Sequence, residues 1–489
     1  MSQALPPSKL ARRPRGFEDR RAATLAAEAG VIERVLAVYE RWGFERLDTG
    51  AFEYADALGK FLPDADRPNE GVFALQDDDE QWMSLRYDLT APLARFVAEH
   101  WERLPKPFRR CAAGPVWRNE KPGPGRFREF WQCDADTVGS AGPAADAEAV
   151  AMLAEAIEAA GVPADLFVVN VSNRKLLDAL LAGLGVQADD QRTRLAVLRS
   201  VDKLDRLGEE GVALLLGPGR TDESGDVTAG AGLAPAAIER VLAFTRTRRD
   251  SRAATLAALA ETLADAPGGP EAVAELAAID ALLTPLGAGA RVRFDPAIVR
   301  GLEYYTGPVW EAELLAETLD DKGRKVRFGS IASGGRYDDL VMRFRGERVP
   351  ATGCSIGVSR LVAALSAAGR PAPAARGPVV ILALDADATG GYLAMARELR
   401  AAGIAAEVYL GGSGMRAQMK YADKRAAPVA VIEGENERAQ GVVTLKDLAL
   451  GAELSKSVAS NEEWRAARPA QEEVPRADLV ARVKAMLAR

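Results

Sequence analysis

The sequence predicts an α+β chain of more than one domain, with sheets flanked by helices, a helical insertion and a C-terminal α/β domain. Residues 107–139 have the pattern of two strands joined by a Pro/Gly loop. Residues from about 183 to 285 are rich in alanine and leucine and hold no strong strand. Beyond the Pro-, Ala- and Gly-rich stretch 367–378, short apolar strands alternate with helical segments. The length of 489 residues is typical of about two to four domains.

The remaining elements follow from hydrophobic periodicity. Helices are predicted where apolar residues recur three and four positions apart, and strands where short apolar or β-branched runs lie between turn residues. In chain order, we predict a helix at 24–42, strand-like segments to about residue 90, helices at 91–103 and 145–160, strands at 166–171 and 292–299, a strand running into a helix at 353–365, and C-terminal strands at 379–384, 405–410 and 429–432. The C-terminal pattern is that of a small parallel α/β domain.

Composition and charge limit the class of protein. Charged residues make up 27% and hydrophobic residues 48% of the chain, as in folded globular proteins. We expect no transmembrane helix and no signal peptide, because no apolar run is long enough. Three widely spaced cysteines favour a reduced, cytoplasmic setting without structural zinc.

Net charge argues mildly against binding nucleic acid over the whole surface. The chain carries −7, whereas nucleic-acid-binding domains usually show a basic footprint. Local basic stripes remain, however. One consists of Arg246, Arg248, Arg249 and Arg252, and the other of Arg416, Lys420, Lys424 and Arg425.

A single histidine, His100, excludes much chemistry. No His-x-x-x-His metal motif is possible, and any Ser–His or Cys–His machinery would have to use this residue alone. It lies in the helical stretch 91–103 beside Trp101, where we expect a structural role. Catalysis in this chain therefore depends on arginines, carboxylates and the positioning of substrates.

Residues 300–307, Arg-Gly-Leu-Glu-Tyr-Tyr-Thr-Gly, are the most informative segment. Arginine keeps its charge and presents donors that suit carboxylate and phosphate, and a phenol both donates and accepts hydrogen bonds. The segment can therefore bind an anionic group beside a small polar ring. A strand end with ordinary half-buried tyrosines is the alternative, since tyrosine is common in strands.

The 107–139 hairpin holds the second block of polar residues. Arg118, Glu120, Gln132, Asp134 and Asp136 are spaced to alternate onto one sheet face. Such a row is costly if buried without a ligand and natural if it lines a polar site. An exposed, salt-bridged hairpin is the alternative. Two weaker blocks are residues 85–90 and 353–361, and no phosphate-binding glycine motif is present.

Taken together, these blocks resemble class II aminoacyl-tRNA synthetases and, within that class, the histidyl-tRNA synthetases. Residues 118–130 are similar to the second signature motif of the class, and residues 357–360 to the third. Residues 300–305 and 333–338 match two peptides particular to the histidine enzymes, and residues 418–425 resemble part of their anticodon-binding domain.

The resemblance implies a fold and a domain order. It assigns residues 1–182 and 286–370 to two parts of a class II catalytic core with an antiparallel sheet flanked by helices, 183–285 to a helical insertion, and 376–489 to an anticodon-binding α/β domain. It also implies a cytoplasmic homodimer with no membrane partner. Its substrates would be histidine, ATP with Mg²⁺ as counter-ion, and histidine tRNA, with no tightly bound metal site in the protein.

The same resemblance implies roles for individual residues. Histidine would react with ATP to give histidyl-adenylate, and the histidyl group would then pass to the tRNA. The implied ATP-binding residues are Arg118 at the α-phosphate, Glu120 at the adenine edge, Phe130 and Arg360 on the two faces of the adenine, and Arg126 at the outer phosphates. The implied histidine-binding residues are Asp88, Thr90 and Gln132 at the amino group, Arg300 at the reacting carboxylate and phosphate, Tyr305 and Asp136 at the imidazole nitrogens, and Tyr304 in the pocket wall. Arg118 and Arg300 would be catalytic.

Chemistry supports these roles independently. Neutral imidazole has one donor and one acceptor nitrogen, which a phenol and a carboxylate can satisfy together, and a site built on such bonds rejects analogues strongly. Preorganised arginines stabilise the anionic state at the α-phosphate without a general base.

Several positions depart from the family pattern. Gly50 stands where a proline is usual in the first motif, and Ser359 stands where a glutamate commonly precedes the third-motif arginine. The second departure leads us to expect altered magnesium handling. Asp88 and Asp136 occupy positions where longer glutamates are common in bacterial members.

Two other functions remain open from the sequence. One is a histidine-binding regulatory paralogue of ATP phosphoribosyltransferase, although such proteins tend to lose the catalytic arginine and the anticodon domain. The other is a class II synthetase for proline, threonine or glycine, against which residues 304–305 and 333–338 argue.

Overall fold

The computed structural model describes residues 11–55, 71–123, 127–221, 227–299, 305–319, 325–370, 376–454 and 470–488. The chain divides into two compact units, Met1–Pro373 and Ala374–Arg489. Residues 124–126 and 300–304 lie outside the described ranges. The expectations for Arg126, Arg300 and Tyr304 therefore lie outside the described residues.

The first unit consists of mixed helices and strands. Its strands are β1 Glu45–Arg46, β2 Phe52–Tyr54, β3 Ala74–Gln76, β4 Trp82–Leu85, β5 Phe108–Trp117, β6 Glu129–Val138, β7 Phe167–Asn173, β8 Gly219–Thr221, β9 Val227–Ala229, β10 Val292–Phe294, β11 Pro308–Leu319, β12 Lys325–Arg336 and β13 Ala351–Gly357. Its α-helices are α1 Ala22–Arg41, α2 Thr90–His100, α3 Pro143–Ala159, α4 Arg174–Gly183, α5 Gln191–Val201, α6 Leu204–Leu216, α7 Pro235–Thr245, α8 Arg252–Thr262, α9 Gly269–Leu283, α10 Met342–Arg345 and α11 Val358–Ala367.

An eight-stranded sheet forms the centre of this unit, in the order β1-β5-β6-β13-β12-β11-β7-β10. The six inner strands pair antiparallel, and the outer pairs β1/β5 and β7/β10 are parallel. This arrangement confirms the predicted α+β class with an antiparallel sheet. The strand predicted over 292–299 is shorter than expected, because β10 ends at Phe294 before Asp295 and Pro296.

The two faces of the central sheet differ in character. On β6 the odd-numbered Cys133 and Ala135 are fully buried in the same apolar core as helices α1, α3 and α11. The even-numbered residues of β6 face the other way, because successive side chains of a strand alternate. That second face carries Gln132, Asp134 and Asp136. Burying each large apolar side chain beneath the sheet contributes roughly 1.5–3 kcal/mol, and this core fixes the strand register that sets the polar face.

A small antiparallel sheet, in the order β2-β4-β3, lies apart from the central sheet in hydrogen bonding. It exposes four large apolar or aromatic side chains. These are Phe52, Tyr54, Leu75 and Trp82, each more than two-fifths exposed. Tyr54 and Leu75 both lie opposite Met83, so they share one face of the sheet with Phe52, whereas Trp82 is on the other face. Exposed apolar side chains grouped on one face can mark an interaction site.

Residues 183–285 are mainly helical, as the sequence predicts, and contain α5 to α9. A short hairpin, β8/β9, interrupts them. We did not predict it because its strands have three residues each, too few to show periodicity.

The basic stripe at residues 246–252 forms ion pairs and hydrogen bonds within the first unit. Arg246 pairs with Glu209 and Glu239, Arg248 with Asp295, and Arg252 with Asp280, while Arg249 donates to the carbonyl oxygens of Arg246 and Arg248. The stripe thus contributes to packing and offers less free positive charge than its sequence indicates.

The second unit is an α/β domain. Its strands are β14 Val379–Ile381, β15 Ala406–Val408, β16 Val429–Ile432, β17 Val442–Asp447 and β18 Gln471–Pro475, and its α-helices are α12 Thr389–Ala401, α13 Met415–Lys424, α14 Glu435–Gln440, α15 Leu448–Leu454 and α16 Leu479–Leu487. The sheet order is β15-β14-β16-β17-β18. The first three strands are parallel as predicted, but β17 and β18 pair antiparallel. Strand β18, Gln-Glu-Glu-Val-Pro, is too polar to be recognised as a strand from its sequence.

Candidate active site

A cleft of about 420 Å³ opens on the polar face of the central sheet. It is lined by Arg118, Glu120, Phe127, Phe130, Gln132, Gly329, Ser330, Ile331, Ala332, Ser333, Ser355, Gly357 and Arg360. Five of these were predicted site residues, namely Arg118, Glu120, Phe130, Gln132 and Arg360. The cleft therefore brings together two sequence motifs that are more than two hundred residues apart.

One end of the cleft holds an aromatic and charged cluster. The Arg118 guanidinium lies 4.3 Å from the ring centre of Tyr87 and 5.1 Å from that of Phe130. The Tyr87 hydroxyl donates to the Glu120 carboxylate at 2.7 Å. Burial raises the pKa of Tyr87, so the phenol stays protonated as the donor. Arg118 and Glu120 lie beyond Trp117, where β5 ends, so they reach the cleft from the loop and not from the sheet face we predicted.

Arg360 reaches the opposite wall from the start of α11. Its Nε donates to the Ser330 carbonyl at 2.6 Å, and its Nη2 donates to the Phe328 carbonyl at 3.0 Å. These bonds anchor the guanidinium to β12. Phe130 and Arg360 therefore both line the cleft.

The floor continues along β6 to a buried pair of carboxylates. Asp134 and Asp136 are each 2% exposed. The Tyr337 hydroxyl donates to Asp136 Oδ1, and Arg110 Nη2 lies 3.1 Å from Asp136 Oδ2. Burial raises the pKa of Asp136, and the Arg110 charge opposes that rise. Arg110 is itself buried and donates to the Leu89 carbonyl at 2.6 Å.

Asp134 has no ion pair among the described residues. Its Oδ1 accepts no hydrogen bond from the part of the chain that the structure describes. Burial raises the pKa of Asp134 to about 7; the Arg110 charge and a hydrogen bond from the Ser355 side chain oppose this rise, and Asp136 adds to it. A buried carboxylate in this state costs free energy unless a ligand pairs with it.

Asp88 and Thr90 lie at the start of α2, beside this floor. Asp88 Oδ1 accepts the backbone N–H groups of Thr90 and Ala91, at 3.2 and 2.9 Å. Part of the carboxylate therefore caps the helix. Its charge still acts on the site, because it contributes to the raised pKa of Asp134 and Asp136.

Tyr305 lies against the peptide 333–338. A Cβ at Gly335 would come within 2.7 Å of the Tyr305 ring, so the ring packs directly on the glycine backbone. Burial raises the pKa of Tyr305, with further contributions from Asp136, Asp134 and Asp88. The phenol is thus protonated and close to the same carboxylates.

The rest of that peptide is structural support. A Cβ at Gly334 would overlap the Trp310 indole. Arg336 is buried and pairs with Asp146 of α3, with Nη2 to Oδ2 at 2.8 Å. The Asp338 carboxylate accepts the Ala351 N–H at 3.2 Å. These contacts hold Tyr337 where it meets Asp136.

Ser359 makes contacts away from the cleft. Its hydroxyl donates to Glu28 Oε1 at 2.5 Å and accepts the Trp131 N–H at 3.1 Å. Glu28 is buried in α1, and its other oxygen accepts from Arg20 at 2.8 Å. The position that we linked to magnesium handling thus joins α11 to α1 and β6.

The sequence predicted no role for three residues of this site. They are Arg110, Asp134 and Tyr337, although Asp134 was recognised as part of the polar row. The signals available were an arginine within the apolar strand 108–117 and a tyrosine within a peptide already singled out. Their shared location depends on strand pairing, since Arg110 lies opposite Asp136 in the β5/β6 register.

His100 makes structural contacts, consistent with its expected role. Its ring stacks on Phe96 with centres 4.4 Å apart, and Nδ1 lies 3.2 Å from the Phe96 carbonyl. Within the described ranges, no group of three or more metal-ligating side chains is arranged to hold a metal. No helix in those ranges has the length and apolarity to cross a bilayer.

Comparisons with known proteins agree with this geometry. A family model described as histidyl-tRNA synthetase matches residues 16–361, and one described as an anticodon binding domain matches residues 378–486. The chain is 62% identical to a histidine–tRNA ligase of Caulobacter vibrioides over 98% of this chain and 97% of that protein. It is 56% identical to that of Cereibacter sphaeroides over 98% and 99%.

Among solved structures, histidyl-tRNA synthetase from Nostoc sp. PCC 7120 matches with a TM-score of 0.72 and 29% identity, covering 97% of this chain and 99% of that one. The regulatory-paralogue alternative is not favoured, because the full-length relatives at high identity are histidine–tRNA ligases. The activity is accordingly ATP-dependent ligation of histidine to its tRNA. On sequence, fold and domain content, the chain belongs to the histidyl-tRNA synthetase family.

Proposed function

We propose that histidyl-adenylate forms on the polar face of the central sheet, with ATP at the end of the cleft near Arg118 and histidine over β6. The observation that carries this proposal is the continuity of one face of β6. Phe130 and Gln132 line the cleft, and Asp134 and Asp136 follow at alternate positions of the same strand, so an adenine site and a polar amino-acid site would adjoin each other. The two substrates can then meet between them.

At the ATP end, Arg118 binds the α-phosphate, and Phe130 and Arg360 enclose the adenine. Arg118 is held between the rings of Tyr87 and Phe130, so its guanidinium is oriented before ATP arrives. Glu120 is positioned by Tyr87 and accepts from the adenine amino group. Arg126 would contact the outer phosphates, on the resemblance alone.

At the histidine end, Gln132, Asp88 and Thr90 receive the amino group, while Tyr305 and Asp136 face the imidazole. Asp136 can still accept from an imidazole N–H, because a carboxylate has about four acceptor positions and Tyr337 occupies one of them. Tyr304 would complete the pocket wall.

The chemical step forms a bond from a histidine carboxylate oxygen to the α-phosphorus and breaks the bond from that phosphorus to the bridging oxygen of pyrophosphate. Negative charge spreads over the α-phosphate oxygens as this happens. Arg118 stabilises it from one side, and Arg300 would do so from the other. No proton has to be removed from the attacking carboxylate, so fixed cations are sufficient.

ATP enters as its Mg²⁺ complex, with the cation as part of the substrate. Mg²⁺ keeps several waters and usually takes one or two carboxylates besides the phosphates. Glu120 is assigned to the adenine edge, and the hydroxyl of Ser359 is bonded to Glu28 and Trp131, so neither residue is assigned to the cation.

The tRNA contact in the C-terminal unit is the basic face of α13. Arg416, Lys420 and Lys424 are exposed at four-residue spacing, and none has an ion pair among the described contacts. Arg425 pairs with Glu407 at 2.8 Å. Three unneutralised cations on one helix face suit a phosphate backbone.

The assembly is a homodimer in the cytoplasm. The exposed side chains Phe52, Tyr54 and Leu75 share one face of the small sheet and supply a surface that a second copy can cover. Cys111, Cys133 and Cys354 are all unpaired and buried, which fits a reducing compartment.

The test is ATP–pyrophosphate exchange with purified full-length protein and a panel of amino acids. We expect exchange with histidine and none with proline, threonine or glycine. Arg118→Ala should lower the exchange rate by orders of magnitude while leaving histidine binding, measured without ATP, within about twofold. Exchange that survives in Arg118→Ala would remove Arg118 and this end of the cleft from the reaction.

A further inference from the structure

We propose that Asp134 is a further histidine-binding residue, whose carboxylate forms an ion pair with the α-ammonium group of the substrate. This inference rests on the proposed placement of histidine over β6. None of the roles implied by family resemblance uses Asp134, so it adds a contact to that site. Three features of the site support it: the strand register, the unpaired buried atoms and the charges around Asp134.

Orientation comes from the strand register. Asp134 lies between Gln132 and Asp136 on β6, opposite Ala112 on one side and Ser355 on the other. Gln132 and Ser355 both line the cleft. Because paired and alternate residues of a sheet share a face, Asp134 belongs to the floor of the same site.

The missing partners form a pattern. Gln132 Oε1, Asp134 Oδ1, Asp136 Oδ2 and Asn170 Oδ1 are buried acceptor atoms without a hydrogen bond in the described structure, and Arg110 Nε and Nη1 are buried donors without one. Buried polar atoms are rarely left unpaired. The pairing β6-β13-β12-β11-β7 puts Asp134 and Asn170 in one row across the sheet, at the level of Ser355. Acceptors outnumber donors among these unpaired atoms, so the floor favours a ligand that brings donors.

The charges around Asp134 favour a cationic donor over a neutral one. Three carboxylates, those of Asp88, Asp134 and Asp136, act on one another here, and Arg110 is the cation that opposes them. Arg110 is committed to Asp136 and to the Leu89 carbonyl. Asp134 has no ion pair of its own among the described residues, although the Arg110 charge also acts on it. The α-ammonium of histidine carries a fixed charge and three donors, whereas the imidazole is largely neutral near pH 7.

The contrast with Asp136 supports this division of roles. Asp136 has Tyr337 and Arg110 as partners before any substrate binds, so it is a rigid acceptor suited to a neutral ring. Asp134 has the Ser355 side chain as a hydrogen-bond partner but no ion pair of its own among the described residues. Its energetic cost in the free protein is offset only when a cation arrives. The free site therefore has an excess of negative charge around Asp134, and this favours the ammonium group of the substrate.

The experiment measures Asp134→Asn and Asp134→Ala in ATP–pyrophosphate exchange, with Glu148→Gln as a matched control. Glu148 pairs with Arg109 outside the cleft. We expect the histidine KM to rise by about tenfold or more in Asp134→Asn, and further in Asp134→Ala, while the ATP KM changes by less than about twofold. The control should match the wild type in both constants.

Two competitive inhibitors identify the group that Asp134 contacts. Histidinol keeps the ammonium group, and imidazolepropionate lacks it. Asp134→Asn should raise the inhibition constant of histidinol in step with the histidine KM and leave that of imidazolepropionate nearly unchanged. An unchanged histidine KM, or an equal loss for both inhibitors, would overturn the proposal.

Stability separates this role from a structural one. Because a buried carboxylate without a partner is unfavourable, ligand-free Asp134→Asn should melt no lower than the wild type. A clear drop in melting temperature together with loss of activity would make Asp134 a structural residue and refute the proposal. Gln132→Ala is measured in parallel. If it raises the histidine KM and Asp134→Asn does not, the placement of histidine stands and the inference about Asp134 fails.

Discussion

The Ser359 hydroxyl donates to the Glu28 carboxylate at 2.5 Å, joining the start of α11 to the first long helix. Because Ser359 precedes Arg360 and also accepts the Trp131 N–H next to Phe130, one hydroxyl positions both walls of the predicted adenine site. Ser359 is therefore part of a hydrogen-bond network that links α11 to α1 and β6.

Ser359→Ala should loosen these walls. Removing the hydroxyl leaves the Glu28 and Trp131 groups without that partner, which costs about 1–3 kcal/mol of unfolding free energy. We expect the ATP KM to rise severalfold and the histidine KM to rise less, in exchange assays combined with urea unfolding. Ser366→Ala, at an exposed serine of the same helix, is the control. Equal effects of the two variants would show that the network does not matter.

Tyr337→Phe should weaken histidine binding. The variant removes the hydrogen bond to Asp136 Oδ1, so the pKa of that buried carboxyl rises further and its hold on Arg110 weakens. We expect a higher histidine KM and a loss of about 1–3 kcal/mol in stability. Tyr409→Phe, at a half-buried phenol of the second unit, should change neither quantity. A Tyr337→Phe enzyme with a normal histidine KM would contradict this role.

Gly353→Ala should disrupt the carboxylate directly. A Cβ at this position would overlap Asp136 Oδ1 and lie 2.7 Å from the Ala135 carbonyl oxygen. Neither group can move away easily, since one is buried in an ion pair and the other is backbone. We expect poor folding or a greatly raised histidine KM, measured by thermal melting and exchange. Gly142→Ala, where the new atom meets nothing within 4 Å, should fold and react normally.

The pH dependence of Asp134 has a definite sign. Its pKa in the folded protein is raised to about 7, above the ordinary value near 3.9. The folded state then binds more protons than the unfolded state between those values, so this group's contribution to stability declines as pH rises from about 4 to 7. The groups acting on it are Arg110 of β5, Asp136 of β6 and Asp88 before α2.

The measurement compares wild type with Asp134→Asn from pH 5 to 8. The stability difference between them should shift in favour of the variant as pH rises and level off above about pH 7. The histidine KM of the wild type should fall over the same upper range, because the ionised carboxylate is the form that pairs with ammonium. Since imidazole titration of the substrate affects both proteins alike, parallel KM profiles would argue against the assignment.

Lys420→Ala and Lys424→Ala should weaken tRNA charging without affecting adenylate formation. Each removes one cation from the exposed face of α13, so the salt dependence of tRNA binding should become shallower by roughly one counterion per substitution. Arg425→Ala, which removes a cation already paired with Glu407, should have a smaller effect. Equal losses for all three variants would place the tRNA elsewhere.

Much of the fold was predictable from local pattern. The long helices, the hairpin and the α/β character of the second unit follow from periodicity, because each buries one face. The β8/β9 hairpin and β18 were not, since short or polar strands form only through their neighbours. The arginines at 246, 248 and 252 show the same limit, because Glu209, Asp295 and Asp280, with which they pair, are distant in sequence.

The candidate site was predictable to a similar degree. Arg118, Phe130 and Arg360 were recognised by motif and do line one cleft. The Arg110–Asp136 pair and the lack of a partner at Asp134 Oδ1 depend on strand register and burial. Neither property can be derived from one strand alone.

The alternation along β6 also restricts how this enzyme can change. Gln132, Asp134 and Asp136 lie on the face that we propose binds the substrates, while Cys133 and Ala135 lie in the apolar core with the helices. A single-residue insertion or deletion between Phe130 and Asp136 would exchange these two sets, putting carboxylates into the apolar layer and a cysteine into the site. Changes of specificity in such a strand must therefore come from substitutions at alternate positions. Lineages of this enzyme should vary in length on either side of β6 and keep its length constant.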